Sequence, residues 1–239
     1  MITLGIKAAL HLNKARSMGV FLATYLLTSF ALLPLIAPIF GRAALPLMGT
    51  LRPLNIGTCI LNRHYVKPHL KRQMQRIADK MNVEFEGTIT NYLDANFPFF
   101  NGFPLFPHLS HNDGRKLDLA FYYKEDNKPS VSAPSFMGYG VYEQPKNNES
   151  NYPATCQQKG YWQYGLLSAI VPQWNKKDFQ LDVERTRALI RLLAEDQSTS
   201  KIFIEPHLKQ RWQLHSYENI RFHGCQAVRH DDHIHTQIK

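Results

Sequence analysis

The chain has 239 residues, 44% hydrophobic and 20% charged, enough to bury the core of one domain with something small attached, so wholesale disorder is excluded. Three cysteines exclude a disulfide-dense mini-scaffold, and 13 Gly and 14 Pro scattered along the chain exclude a collagen-like or low-complexity polymer. The net charge of +9 sits at one end: residues 1–83 carry 11 Lys/Arg against the single acid Asp79, whereas 84–239 carry 17 against 18. The larger part is close to neutral, and nucleic acid is therefore not an expected partner.

Residues 17–41 form a 25-residue run without a charge. At about 1.5 Å per residue this exceeds the roughly 20 residues needed to cross a bilayer core. It predicts a transmembrane anchor, with a cleaved signal peptide or a buried soluble helix as alternatives. Lys7, Lys14 and Arg16 precede it, and Arg42 and Arg52 follow. That slight bias predicts a cytoplasmic 1–16 segment and a C-terminal domain outside, at the inner or cytoplasmic membrane. Residues 42–83 read as a basic juxtamembrane linker and helix. Leu70, Met74, Ile77 and Met81 recur at helical spacing, with Lys71, Arg72, Arg76 and Lys80 opposite. This helix either packs on the domain or lies near anionic lipid.

The domain is expected over 84–239. A strand-like pattern at 84–91 leads to a Pro/Phe-rich loop at 96–107, whose Phe97, Phe99, Phe100, Phe103 and Phe106 either line a cleft or pack the core. Residues 117–123 predict a buried strand, and the polar stretch 125–160 a long surface excursion. Residues 182–197 predict an amphipathic helix capped by Asp182, followed by a strand at 200–205, a helix opened by Pro206 and a last strand at 233–238. Short strands mixed with helices give an α+β class.

Five of the 11 histidines lie between 215 and 235. Two clusters carry chemistry. In the first, His108 and His111 precede Asp118, an acid at the start of a buried strand, where a carboxylate needs a partner or a cation. In the second, His230, His233 and His235 form H-x-x-H-x-H, and a strand turns His233 and His235 to the same side. Three N/O ligands from two separated segments, with a fourth place free, suit a catalytic zinc site. A solvated C-terminal His cluster is the competing reading. Asp231 and Asp232 either orient an imidazole or are solvated turn residues. Cys225 near His230 admits a cysteine nucleophile, while a Cys156–Cys225 disulfide leaving Cys59 unpaired is equally consistent. The chain has no HExxH helix, Gly-rich phosphate loop or G-x-S-x-G elbow.

His-x6-Asp followed far downstream by His-x-His resembles the lysostaphin, D-Ala-D-Ala-peptidase and hedgehog group of zinc proteins. Within it, HLSH with a following Asp, KIFIEPHLKQ and HDDHIH are most similar to the penicillin-insensitive murein endopeptidases, over roughly 105–123 and 180–238. The anchor and the 125–160 excursion fall outside the resemblance, and the family's fuller cysteine set is missing. The resemblance implies a small antiparallel sheet with flanking helices. It implies Zn2+ held by His111, Asp118 and His235, His233 as base or transition-state stabiliser, and His230 as a second catalytic histidine. His108 would be a supporting residue or an extra ligand. The activity implied is hydrolysis of peptide cross-links in bacterial peptidoglycan. A zinc D-amino-acid carboxypeptidase or amidase and a non-catalytic zinc-stabilised binding domain are the alternatives.

Overall fold

A period-two pattern puts Leu117 and Leu119 on one side of a strand and Asp118 on the other, and likewise separates Ile234 from His233 and His235. In the computed structural model, which describes residues 13–106 and 108–239, this alternation divides the molecule into a packed face and a polar face. The strands are β1 (Ala43–Ala44), β2 (Leu51–Pro53), β3 (Tyr65–Val66), β4 (Thr90–Tyr92), β5 (Lys116–Ala120), β6 (Tyr123–Glu125), β7 (Lys128–Ser130), β8 (Gln180–Leu181), β9 (Thr199–Phe203), β10 (Ile220–Arg221) and β11 (His233–Ile238). The main sheet has six strands in the order β10-β9-β11-β5-β4-β2. Two- and three-stranded sheets, β1-β3 and β7-β6-β8, flank it. The class is α+β.

The expected antiparallel sheet is mixed. Its centre is antiparallel, but β2 pairs with β4 and β10 with β9 in parallel. Parallel neighbours need a crossover. The Pro68–Glu84 helix lies between β2 and β4 in the chain, and the Pro206–Arg211 helix between β9 and β10. Segment 42–83 is thus not a linker outside the domain. It supplies an edge strand and a crossover helix, and Leu45, Leu51, Cys59, Val66 and Leu70 belong to the same core as Leu117, Leu189 and Ile202. The basic helix packs on the domain, burying Leu70, Gln73, Met74, Ile77, Ala78 and Met81. Its polar side reaches the rest of the domain through Arg76–Asp196 at 2.9 Å and His69–Ser198 at 2.7 Å. The Val183–Glu195 helix, capped by the Asp182 carboxylate accepting from the Arg185 amide, covers the same face of the sheet.

Two other expectations change. The strand expected over 84–91 appears only as β4: the preceding helix takes Glu84, and residues 85–89 turn, with Gly87 at φ 77°, before Thr90. The 125–160 excursion is not simply a surface loop: Tyr139, Val141 and Tyr142 are buried, and Gly140 binds next to the histidines.

The apolar run forms a continuous helical rod over Lys14–Phe40, long and apolar enough to cross a membrane. Of the expected 1–16 segment, residues 1–12 lie outside the described residues. A wider turn over Thr28–Leu32 precedes Pro34, which cannot donate to the preceding turn. Gly41, at φ 67°, ends the rod in the left-handed conformation that glycine adopts without cost.

Candidate metal centre

Register brings the two histidine clusters together. β11 pairs with β5 so that His235 stands directly opposite Asp118, a partnership between residues 117 positions apart. His111 arrives from a turn in which its amide donates to the His108 carbonyl at 3.0 Å. The Asn96 side chain staples that turn, accepting from the Gly114 amide and donating to the Lys116 and Tyr65 carbonyls. His111 Nδ1 donates to the Ala95 carbonyl at 3.0 Å, which leaves Nε2 as the lone-pair nitrogen.

His111 Nε2 lies 3.1 Å from His235 Nδ1 and 3.2 Å from Asp118 Oδ1, and these last two are 2.8 Å apart. A tetrahedral ion with bonds of about 2.0–2.1 Å holds its donors about 3.3 Å apart, so the triangle has near-ligating spacing. His108, His111 and Asp118 also meet, each offering a ligand atom within 4.8 Å of the others. All of these residues are buried, and a buried His/Asp group of this kind can hold a metal ion. Nε2 of His233 is buried without a hydrogen-bond partner, as expected of an atom facing a ligand site; Nε2 of His235 is also unpartnered, on the side of its ring away from the donor triangle.

The other carboxylate oxygen of Asp118 receives the Tyr139 hydroxyl at 2.9 Å and lies 3.3 Å from His108 Nδ1. His108 Nδ1 donates to Asp94 at 2.8 Å, and Asp94 is clamped by the Arg63 guanidinium. His233 Nδ1 donates to Asp232, whose second oxygen accepts the Gly140 amide at 2.6 Å. This leaves His233 Nε2 facing Asp118 Oδ2 at 3.8 Å. The His230 ring lies 4.9 Å from that of His233 and 5.7 Å from that of His235, centroid to centroid. Neither Asp231 nor Asp232 is solvated: Asp232 holds His233, and Asp231 pairs with Arg229. No local sequence signal marks Asp94, Tyr139 or Gly140, since each acts across the fold.

Charge is distributed unevenly. Burial opposes ionisation of Asp118, but His111 and His233 outweigh it and hold the carboxyl well below its usual range. Burial likewise opposes protonation of His233, yet Asp232 and Asp118 raise its pKa. Burial brings His235 down to about 4 despite Asp118. Burial, with His233 and His235 alongside, pushes His230 well below the ordinary imidazole value.

The histidines floor a cleft of about 550 Å³. Its wall is apolar, with Trp162, Leu166, Leu167 and Ile170 on or beside the Gln163–Ile170 helix, Val228 opposite, and Phe106 and Leu109 at the rim. The aromatic loop packs mainly on itself, with Phe97 and Phe103 rings 3.9 Å apart, and sends Phe106 to the cleft. A Cys156–Cys225 disulfide ties the Tyr152–Gln158 helix to the segment beside His223, and Cys59 is free and buried. The bridge joins residues 69 apart, a loop whose closure entropy is worth about 4 kcal/mol. Replacing both cysteines by serine is expected to lower unfolding free energy by an amount approaching that value, read from urea denaturation.

Glu205 lies behind His230, accepting its amide at 3.3 Å and the Tyr164 hydroxyl at 3.2 Å. Burial, reinforced by Asp231, raises its pKa from 4.5 to about 8. The folded chain therefore keeps a proton that the unfolded chain releases. Its contribution is fully present below pH 4.5 and is lost as pH rises through about 8. Glu205→Gln retains an acceptor oxygen without the buried charge. It is expected to be more stable than the parent at pH 8 by on the order of a few kcal/mol, the gap closing towards pH 5 in thermal melts.

No protein-family model matches the chain, and no curated protein matches it.

Proposed function

We propose that this chain is a membrane-anchored zinc metallopeptidase that hydrolyses peptide cross-links of bacterial peptidoglycan. The observation that carries the reading is the convergence of His111 Nε2, Asp118 Oδ1 and His235 Nδ1 within 3.2 Å of one another. Two neutral-capable imidazoles and one carboxylate are a donor set suited to zinc, and the adjoining cleft leaves a side open to substrate. Zinc bound there would acidify a water molecule and polarise a carbonyl. His233 Nε2, free of any partner, accepts the proton of the attacking water. Asp232 on Nδ1 steadies the imidazolium that results. His230, kept neutral by its burial, donates from its ring to the developing oxyanion. His108 supports Asp118 from the Asp94–Arg63 side.

The spacing His-x6-Asp and His-x-His, with Asp118 and the His-x-His pair on adjacent antiparallel strands and helices packed on the sheet, supports assignment to the hedgehog and D-Ala-D-Ala-peptidase fold group. The apolar rod supports a single-pass anchor in the cytoplasmic membrane. A disulfide beside the cleft fits an oxidising compartment, which supports a catalytic domain facing the periplasm or cell exterior.

The test is metal analysis of the purified full-length chain followed by digestion of murein sacculi with and without a chelator. One zinc per chain and chelator-sensitive release of cross-link fragments are expected. Products trimmed only at a peptide terminus would reassign it as a carboxypeptidase. A zinc-loaded protein that releases nothing would make it a binding domain.

A further inference from the structure

The apolar rod does not stand clear of the domain. Tyr25, near its middle, donates its hydroxyl to the Ile60 carbonyl at 2.7 Å. Asn62 donates to Ser29 Oγ at 3.1 Å and to the Tyr25 hydroxyl at 3.3 Å, Ser29 is buried, and Phe30 packs on the main core. From Tyr25 onward the rod therefore runs beside the domain. Among the described residues, Lys14 to Thr24 makes no hydrogen bond to the domain, about 16 Å of helix at 1.5 Å per residue, roughly half a hydrocarbon core.

A span that begins at Ser17, where the charge-free run starts, needs about 20 residues to reach the opposite interface, and so ends near Ile36. The contacts at Tyr25 and Ser29 then fall within the hydrocarbon, and the surface they touch must enter it too. That surface is suited to lipid. Leu61 is 65% exposed, Ile56 50%, Met48 83% and Phe136 79%. Asn55, beside Ile56, donates its side chain to the Phe136 carbonyl, and Leu61 follows Ile60, the acceptor of the Tyr25 hydroxyl. Leu47, Ile56 and Phe136 line one shared depression. An exposed apolar patch continuous with a membrane helix is covered most simply by the solvent of that helix.

We propose that the face formed by Met48, Ile56, Leu61 and Phe136 is immersed in the acyl chains of the bilayer, so that the domain is partly embedded rather than held off on a tether. The inference rests on reading the apolar rod as a membrane span. The test uses the full chain in phosphatidylethanolamine/phosphatidylglycerol vesicles, with single cysteines carrying an environment-sensitive fluorophore. Cys59 is buried and the other two cysteines are bridged, so labelling is confined to the introduced site. Met48→Cys and Leu61→Cys report on the face, Leu22→Cys on the rod, and Asn147→Cys on the exposed polar loop. Doxyl groups on the acyl chains and iodide on both sides of the membrane are the quenchers. The expected result is that labels at 48, 61 and 22 are quenched by doxyl lipid, with iodide quenching at least several-fold weaker than at 147. Labels at 48 and 61 as open to iodide as 147, with 22 protected, would overturn the proposal and leave the anchor standing. A label at 22 open to iodide would overturn both.

Discussion

Replacing His235 by alanine is expected to strip the metal from the protein and abolish hydrolysis together. His235 stands across from Asp118 in the sheet, and its Nδ1 closes the triangle of donors with His111. Removing it leaves two donors and exposes the site to water. The loss of zinc affinity should exceed the roughly 10–100-fold seen when only an outer supporting partner is removed. Asp118→Ala should do the same, with an added cost. It withdraws the carboxylate that meets His111, His235 and the Tyr139 hydroxyl, leaving that buried hydroxyl unpaired, while His108 keeps Asp94. Competition with a chromophoric chelator measures the affinity, and urea unfolding of the metal-free proteins separates the folding cost. A His235→Ala chain that still holds one zinc as tightly as the parent would refute the assigned donor set.

The second large effect is expected at His233, and it should split from the first. His233→Ala is expected to retain zinc and folding but to lose about 10²–10⁴-fold in the rate of cross-link cleavage, the usual range for general acid–base groups. The reason is geometric. Nδ1 is committed to Asp232, and Nε2 is 3.8 Å from Asp118 Oδ2 and has no partner, so it is free to exchange a proton. Zinc content by atomic absorption and fragment release from sacculi, measured on one preparation, check both halves. Full activity in this variant would remove His233 from the proton transfer.

The facing of each histidine cluster was legible because strand geometry is local, whereas the meeting of the two was implied by the family resemblance. Alternation alone turns His233 and His235 to one side and Leu117 and Leu119 away from Asp118. The Asp182 cap and the Pro206 helix start were legible for the same reason. The domain boundary was not. The basic residues of the Pro68–Glu84 helix suggested a separate segment by composition, although they occupy only its outer side while Leu70, Met74 and Ile77 enter the core. Three-residue β2 is too short to show alternation, and its parallel partner β4 lies beyond a 17-residue helix. Asp94, Tyr139 and Gly140 were invisible because each meets the histidines only through long-range closure of the chain.

Gly140 carries a consequence of its own. Its amide fixes Asp232, its φ is 85°, and a methyl group added there would meet Val171 side-chain atoms at 2.6 and 2.9 Å. The same short stretch therefore touches the residue that steers His233 and the end of the helix that walls the cleft. Under the proposed function, reactivity and selectivity would share one hinge pin. Remodelling the wall for a bulkier substrate would then shift the proposed proton acceptor as well, so the two properties would diverge in descendants only by paired substitutions.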